Sequence, residues 1–231
     1  MSRISMPFPT SGRVGLLPSG SANTYGAWTS MWTAPFALDG LVLNWQPLAA
    51  NSLIQIGIGP SQYIILENWL SFNNGSNPIT IPVKIPAGVE IYGQYAVNNT
   101  DTTTSYAVLE GIPSGSLPKE SLGFRISSLG ALISNTYFGV TYNASTIYQL
   151  TSSPLLIPAK RLWVIMANTP INFSVGLGPS TSLTDTLIQN LIGAQGTGNG
   201  YIQEVPIFAP AGNNLFADMT DANFGSFYIL N

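Results

Sequence analysis

Any acid–base chemistry in this chain has to come from carboxylates. Its acids are Asp39, Glu67, Glu90, Asp101, Glu110, Glu120, Asp185, Glu204, Asp218 and Asp221, spread singly along 231 residues. Histidine and cysteine are absent. With them go the commonest general base at neutral pH, the Ser-His-Asp and Cys-His nucleophiles, thiolate metal sites and disulfides. A glycoside hydrolase needs two carboxyl groups about 5–10 Å apart, and no pair is marked out by spacing. The acids read instead as solvated groups of loops and strand edges. Asp218 and Asp221 resemble a fragment of a calcium loop but lack an EF-hand's acidic spacing and terminal glutamate, so they read as turn residues. GIGPS, from Gly57, lacks the third glycine of a dinucleotide fingerprint. GAQGTGNG, from Gly193, lacks the Lys-Ser/Thr of a P-loop and reads as a hairpin tip. The expectation is a protein that is not an enzyme, with no catalytic residue, no cofactor and no metal.

Recognition is the chemistry left. Tyr25, Trp28, Trp32 and Tyr137 lie in polar segments and are the candidate interface residues, able to anchor a protein partner or stack on a sugar. Trp45 and Trp163 fall in apolar strands and read as core. Seven Lys and Arg in the whole chain cannot line a groove for single-stranded nucleic acid. Asn74, Asn98, Asn143 and Asn172 open Asn-x-Ser/Thr sequons in an Asn/Ser/Thr-rich surface. The opening MSRISMPFP lacks the pattern of a secretory leader, and no apolar run approaches the ~18 residues of a membrane span. Synthesis in a cytoplasm, no membrane partner and no glycosylation are therefore expected.

Composition narrows the class. Apolar residues make up 45% and charged residues 7%, against a usual charged share of about 25%. A surface covered by Ser, Thr, Asn, Gln and Gly, with a net charge of −3, gives copies little mutual repulsion. That is the composition of a subunit of an assembly.

The elements that would position these side chains are short strands. LVLNW (41–45), LIQIGI (53–58), ITIPV (79–83), VEIYGQY (89–95) and YAVL (106–109) are β-branched or aromatic, often alternate, and end in Asn/Gly/Pro/Ser clusters. Such spacing predicts a sandwich or a barrel. Residues 182–192 are ambiguous: Leu183, Leu187, Ile188, Leu191 and Ile192 have helical spacing, whereas the corresponding 63–70 reads as a strand.

An internal repeat organises the chain. Arg13 and Arg125 are 112 residues apart, as are the Asn-Thr-Tyr triplets at Asn23 and Asn135. Gly-x-Gly-Pro-Ser recurs from Gly57 to Gly176, an offset of 119, and Pro-Ala-Gly from Pro86 to Pro210, an offset of 124. An apolar strand closes each copy. The same features in the same order predict an N-terminal arm (1–11), a first β unit (12–110), a Pro/Gly/Ser-rich linker (111–123) and a second β unit (124–231). Gly-x-Gly-Pro then reads as punctuation at a strand end, where glycine allows close backbone approach and proline ends pairing.

The series IGIGPS, a polar turn, IPVKIPAG (81–88) and VEIYGQY resembles a jelly-roll-like module of structural proteins of tailed bacteriophages. Its second copy is weaker: PIFAPAG (206–212) is kept and the following strand is degraded. The resemblance implies an all-β chain of two tandem jelly-roll-like β-sandwich units, each of about a hundred residues and related by internal duplication. It also implies a virion component, for which a capsid decoration or cement protein on the capsid exterior is the leading expectation. The partners would be further copies of itself, a trimer foremost, and a major capsid protein. The alternative is a receptor- or glycan-binding module of a tail or head fibre, using Trp28, Trp32 or the tyrosines, with a polysaccharide hydrolase a distant third. No catalytic residue belongs to the pattern, so none carries over.

Overall fold

The computed structural model describes residues 14–47, 51–71, 78–98, 103–129, 140–144, 146–166, 172–178, 185–192, 201–219 and 223–231. The arm 1–11, Tyr137, Asp221 and the glycine run from Gly193 lie outside them.

Eight strands come first: β1 (Val14–Pro18), β2 (Thr29–Thr33), β3 (Leu38–Gln46), β4 (Ser52–Ile58), β5 (Tyr63–Ser71), β6 (Ile79–Ile81), β7 (Glu90–Val97) and β8 (Thr104–Pro113). A single 3₁₀ turn, Lys119–Ser121, follows. Then come β9 (Ile126–Ser128), β10 (Val140–Tyr142), β11 (Thr146–Gln149), β12 (Ala159–Met166), β13 (Asn172–Gly178), β14 (Asp185–Ile192), β15 (Tyr201–Ala209), β16 (Asn214–Met219) and β17 (Asn223–Leu230). Residues 185–192 are thus a strand. Their helical spacing is explained by register shifts in the β13–β14 ladder, at Phe173/Val175 and Val175/Gly176, which break strict alternation. β8 runs through Pro113, so the expected linker begins with three residues that belong to the sheet.

The strand orders carry the duplication. One sheet runs β1-β8-β3-β6, and its neighbour contains β2-β7-β4-β5. In the second half the corresponding orders are β9-β17-β12-β15 and β11-β16-β13-β14. Each half is therefore the eight-stranded, two-sheet arrangement of a jelly roll. Single hydrogen bonds repeat as well. The Gly88 N–H donates to the Ala34 carbonyl and the Gly212 N–H to the Leu155 carbonyl, both at 2.8 Å. Gly88 and Gly212 have φ of +79° and +86°, which explains why Pro-Ala-Gly is kept in both copies.

The two sandwiches share a sheet. β5 of the first lies parallel to β9 of the second, with Leu66 opposite Ile126, so a nine-stranded sheet runs β15-β12-β17-β9-β5-β4-β7-β2, with β10 also on β17. The sheet β1-β8-β3-β6 packs on one face of it and β11-β16-β13-β14 on the other. The side chains of β12 and β17 report this directly. Leu162, Val164, Met166, Phe227 and Ile229 point into the second core, while Trp163, Ile165, Tyr228 and Leu230 point into the first. Both strands are buried on two faces, so they read as continuous apolar runs rather than alternating ones. Trp45 and Trp163 are both buried, at 4% and 2% exposure. Trp45 fills its own sandwich, and Trp163 fills the neighbour's, edge-on to Trp69 with centroids 6.3 Å apart.

Candidate functional site

The repeated Gly-x-Gly-Pro is punctuation in the first copy. Gly59 has φ +70° and leads from β4 into the turn that starts β5. A Cβ at Gly57 would come within 2.9 Å of the Gln62 carbonyl oxygen across that turn. This is the close backbone approach that glycine allows, with no ligand needed to explain it.

Three of the four candidate interface aromatics are described, and they do not form an open platform. Tyr25 bridges to Ala96 at the rim of the shared sheet and donates its hydroxyl to Asn68 Oδ1 at 2.7 Å. Burial pushes that hydroxyl's pKa well up, with the nearby Tyr228 and Glu67 acting in the same direction. Asn68 Oδ1 also accepts from Gln55, whose Oε1 accepts from Gln94 at 2.6 Å. Asn68 reaches this place because two residues, Glu67 and Asn68, oppose Gln55 in the β4–β5 ladder, and it sits at φ +44°. Trp32, on β2, packs against the first core, and a Cβ on Gly111 would come within 2.8 Å of its ring. Trp28 is half-buried. In this structure Trp32 serves packing and Tyr25 a part-buried polar chain.

The exposed rings are elsewhere. Tyr63 is 51% and Phe124 62% exposed, and both line two adjoining clefts where the sandwiches meet. The larger cleft, about 640 Å³, lies between β5, the 124–129 segment and the 150–157 loop, and exposes Leu156 and Ile157. The smaller, about 410 Å³, is bounded by Val83, Lys84, Leu122 and Lys160. The walls are held from both halves. The Gly123 N–H donates to the Pro82 carbonyl at 2.9 Å, Lys160 Nζ to the Leu122 carbonyl at 2.6 Å, and Arg125 Nε to Ser127 Oγ at 2.7 Å.

Charge in the clefts is lopsided. Lys84, Arg125 and Lys160 line them, and Glu67 is the carboxylate side chain among the lining residues. Glu67 accepts the Ser128 N–H at 3.3 Å. Among the described residues the one ion pair is Arg161–Glu204, so these three cations have no carboxylate partner there. Two signals could have found the site: Tyr63 opens a strand directly after a turn, and Phe124 and Arg125 follow the linker.

Three other described carboxylates, Asp39, Glu90 and Glu204, are engaged in structure. Asp39 is the bulged residue of β3 opposite β8, 2% exposed, and takes the Gly115 N–H at 2.7 Å, the Leu117 N–H at 3.1 Å and the Ser114 hydroxyl at 3.4 Å. Burial works to raise its pKa, but the Leu117 and Gly115 N–H groups together with Ser114 outweigh it and hold the carboxyl below its usual 3.8. Glu90 accepts from Ser30, and from the Tyr92 hydroxyl at 2.5 Å, which lowers its pKa. Glu204 takes Arg161 and the Trp163 indole N–H at 3.2 Å. No group of three or more acids placed to hold a metal occurs among the described residues.

No protein-family model and no curated protein sequence matches the chain. Three solved structures align with most of it. A chain of the Sulfolobus Turreted Icosahedral Virus aligns over 95% of this chain and 90% of its own, at 7% identity and TM-score 0.42. The tandem CBM22 domains of Paenibacillus barcinonensis Xyn10C align over 98% and 93%, at 9% identity and TM-score 0.25. Vicilin from hazelnut, Corylus avellana, aligns over 96% and 82%, at 9% identity and TM-score 0.24.

Proposed function

We propose that the protein is a non-catalytic virion structural protein that decorates and cements the outer face of a capsid shell as a homo-oligomer. The observation that carries this reading is the open end of the shared sheet. β15 spans nine residues, pairs only with β12 among the described residues, and exposes Phe208 at 67%. A protein that works as a free monomer protects such an edge with charges or a cover. The described charge on β15 is Glu204, and it is tied up by Arg161. Pro206 and the register shift opposite Ala159 and Arg161 blunt one part of the strand and leave the rest for a partner. The near-absence of surface charge supports the same conclusion. In this proposal the other partner is a major capsid protein, the shell is that of a tailed bacteriophage, and three copies associate in a ring.

The experiment is light scattering of the purified chain, followed by sedimentation with empty shells. The expected result is a closed oligomer, three chains in the leading case, that binds shells in fixed ratio and raises their dissociation temperature. A monomer that stays in the supernatant would overturn the reading. The exposed rings at the junction support a second one, in which the chain is a glycan- or receptor-binding module of a fibre.

A further inference from the structure

We infer that the paired clefts at the junction of the two sandwiches are a binding site for an anionic saccharide, a sugar chain bearing carboxylates. This deepens the second reading above and does not depend on shell binding. Three features converge. Tyr63 and Phe124 stand more than half exposed at the boundary of both clefts, the position from which an aromatic ring can stack on a sugar face. Ser152 and Ser153, both exposed, line the larger cleft with hydroxyls that can donate to and accept from sugar hydroxyls. Finally, three of the chain's seven basic residues, Lys84, Arg125 and Lys160, are gathered here, where Glu67 is the acidic side chain in the lining.

That last feature selects the chemistry. On a chain of net charge −3, three cations lining adjoining clefts give this region a local positive potential that favours an anionic ligand. Arg125 Nε is committed to Ser127, which leaves its terminal N–H groups for a carboxylate in bidentate geometry. Lys160 gives one N–H to Leu122 and keeps two. Lys84 is exposed and has no carboxylate partner among the described residues. A neutral sugar would use the rings and gain nothing from the charge of these cations. The two clefts, about 640 and 410 Å³, fall within the roughly 300–1,000 Å³ usual for small-ligand sites. The site exists only where the sandwiches are joined, since Tyr63 and Lys84 come from the first and Phe124 to Leu156 from the second.

The test uses the full chain and three probes by calorimetry: oligogalacturonate, maltohexaose as its neutral counterpart, and poly-L-glutamate as an acidic peptide. Oligogalacturonate is expected to bind and to weaken as salt rises. Loss of one stacking ring should cost about tenfold in Kd, in Tyr63→Ala and independently in Phe124→Ala. Lys84→Gln should weaken oligogalacturonate several-fold, while Phe208→Ala, outside the clefts, should change nothing. Equal binding of maltohexaose would overturn the anionic selectivity and leave the glycan-binding reading standing. Binding of poly-L-glutamate that is untouched by Tyr63→Ala would show an electrostatic surface for acidic protein and overturn the proposal. No binding of any probe would sink both this inference and the glycan-binding reading, with the decoration reading intact.

Discussion

The Tyr228 hydroxyl stitches the two sandwiches together, and removing it is the sharpest test of that join. Tyr228 lies on β17 of the second half, is 0% exposed, and packs on Trp69 with ring centroids 4.6 Å apart. Its hydroxyl accepts the Leu70 N–H at 2.9 Å and donates to the Asn68 carbonyl at 2.7 Å, both on β5 of the first half. Tyr228→Phe keeps the ring and its packing and strips both bonds. A buried donor left unsatisfied costs about 1–3 kcal/mol, and the orphaned carbonyl adds less because it has a second lone pair. The loss should total about 2–4 kcal/mol, which for a chain of this size lowers Tm by about 5–15 °C. Urea unfolding followed by tryptophan fluorescence reads this directly, since Trp69 and Trp163 flank the site. The wild type is expected to unfold in one transition, because the first core contains Trp163 and Tyr228 of the second half. Tyr95→Phe is the internal control. Its bonds to Ser52 and Thr103, at 3.1 and 3.3 Å, are longer and lie within one sandwich, so it should cost less than half as much. A Tyr228→Phe loss below about 0.5 kcal/mol, or equal losses for the two variants, would refute the assignment of a stitched junction.

Asp39→Asn should destabilise by about 1–3 kcal/mol, since an amide offers one acceptor where the 114–117 turn presents several donors. Because the folded carboxyl sits below 3.8, its contribution is full above that value and is lost as pH falls through the folded value. The wild type should therefore lose more stability than the variant between about pH 4 and 2 in acid-titrated melts. Gly225→Ala places a Cβ 2.0 Å from the Ile165 carbonyl oxygen and 2.5 Å from Met166 Sδ. Backbone has to move between β12 and β17, so a loss of at least about 2–3 kcal/mol in urea unfolding is expected. Burial raises the hydroxyl pKa of Tyr228, Tyr142 and Tyr25 above the usual 10.0. An unfolded chain ionises these groups first, so stability should be flat to about pH 9 and fall above pH 10, read as Tm across that range with phenolate absorbance at the same step.

The strands of the first half were legible because their burial is local. Leu41, Leu43 and Trp45 alternate along β3 and fill one core. The duplication was legible because turn chemistry is conserved by conformation, as at Gly88 and Gly212 with their positive φ. The fusion of the two sandwiches was not, since nothing in RLWVIMA distinguishes a strand buried on both faces from one at the centre of a single sandwich. The surroundings of the candidate interface aromatics were not legible for a related reason. Tyr25 stands among polar residues but turns its hydroxyl to Asn68, forty-three positions away. Tyr63 and Phe124 sit beside strand residues and are exposed only because the junction leaves a gap there. Which ring faces water was decided by how two units meet, a relation that local pattern does not encode.

The strand that completes the first core, β17, is also the last of the described strands in the sequence. A ribosome adds about 5–20 residues per second, so β17 follows β5 by roughly ten to thirty seconds. Throughout that interval Trp69 and Leu70 lack the cover of Tyr228 and Trp163, and the first sandwich is an unfinished, sticky body. Vectorial synthesis therefore cannot mature this protein one jelly roll at a time. Both halves become native together, when the closing strand slides between them, and a nascent chain stalled before that point is a natural client for a chaperone.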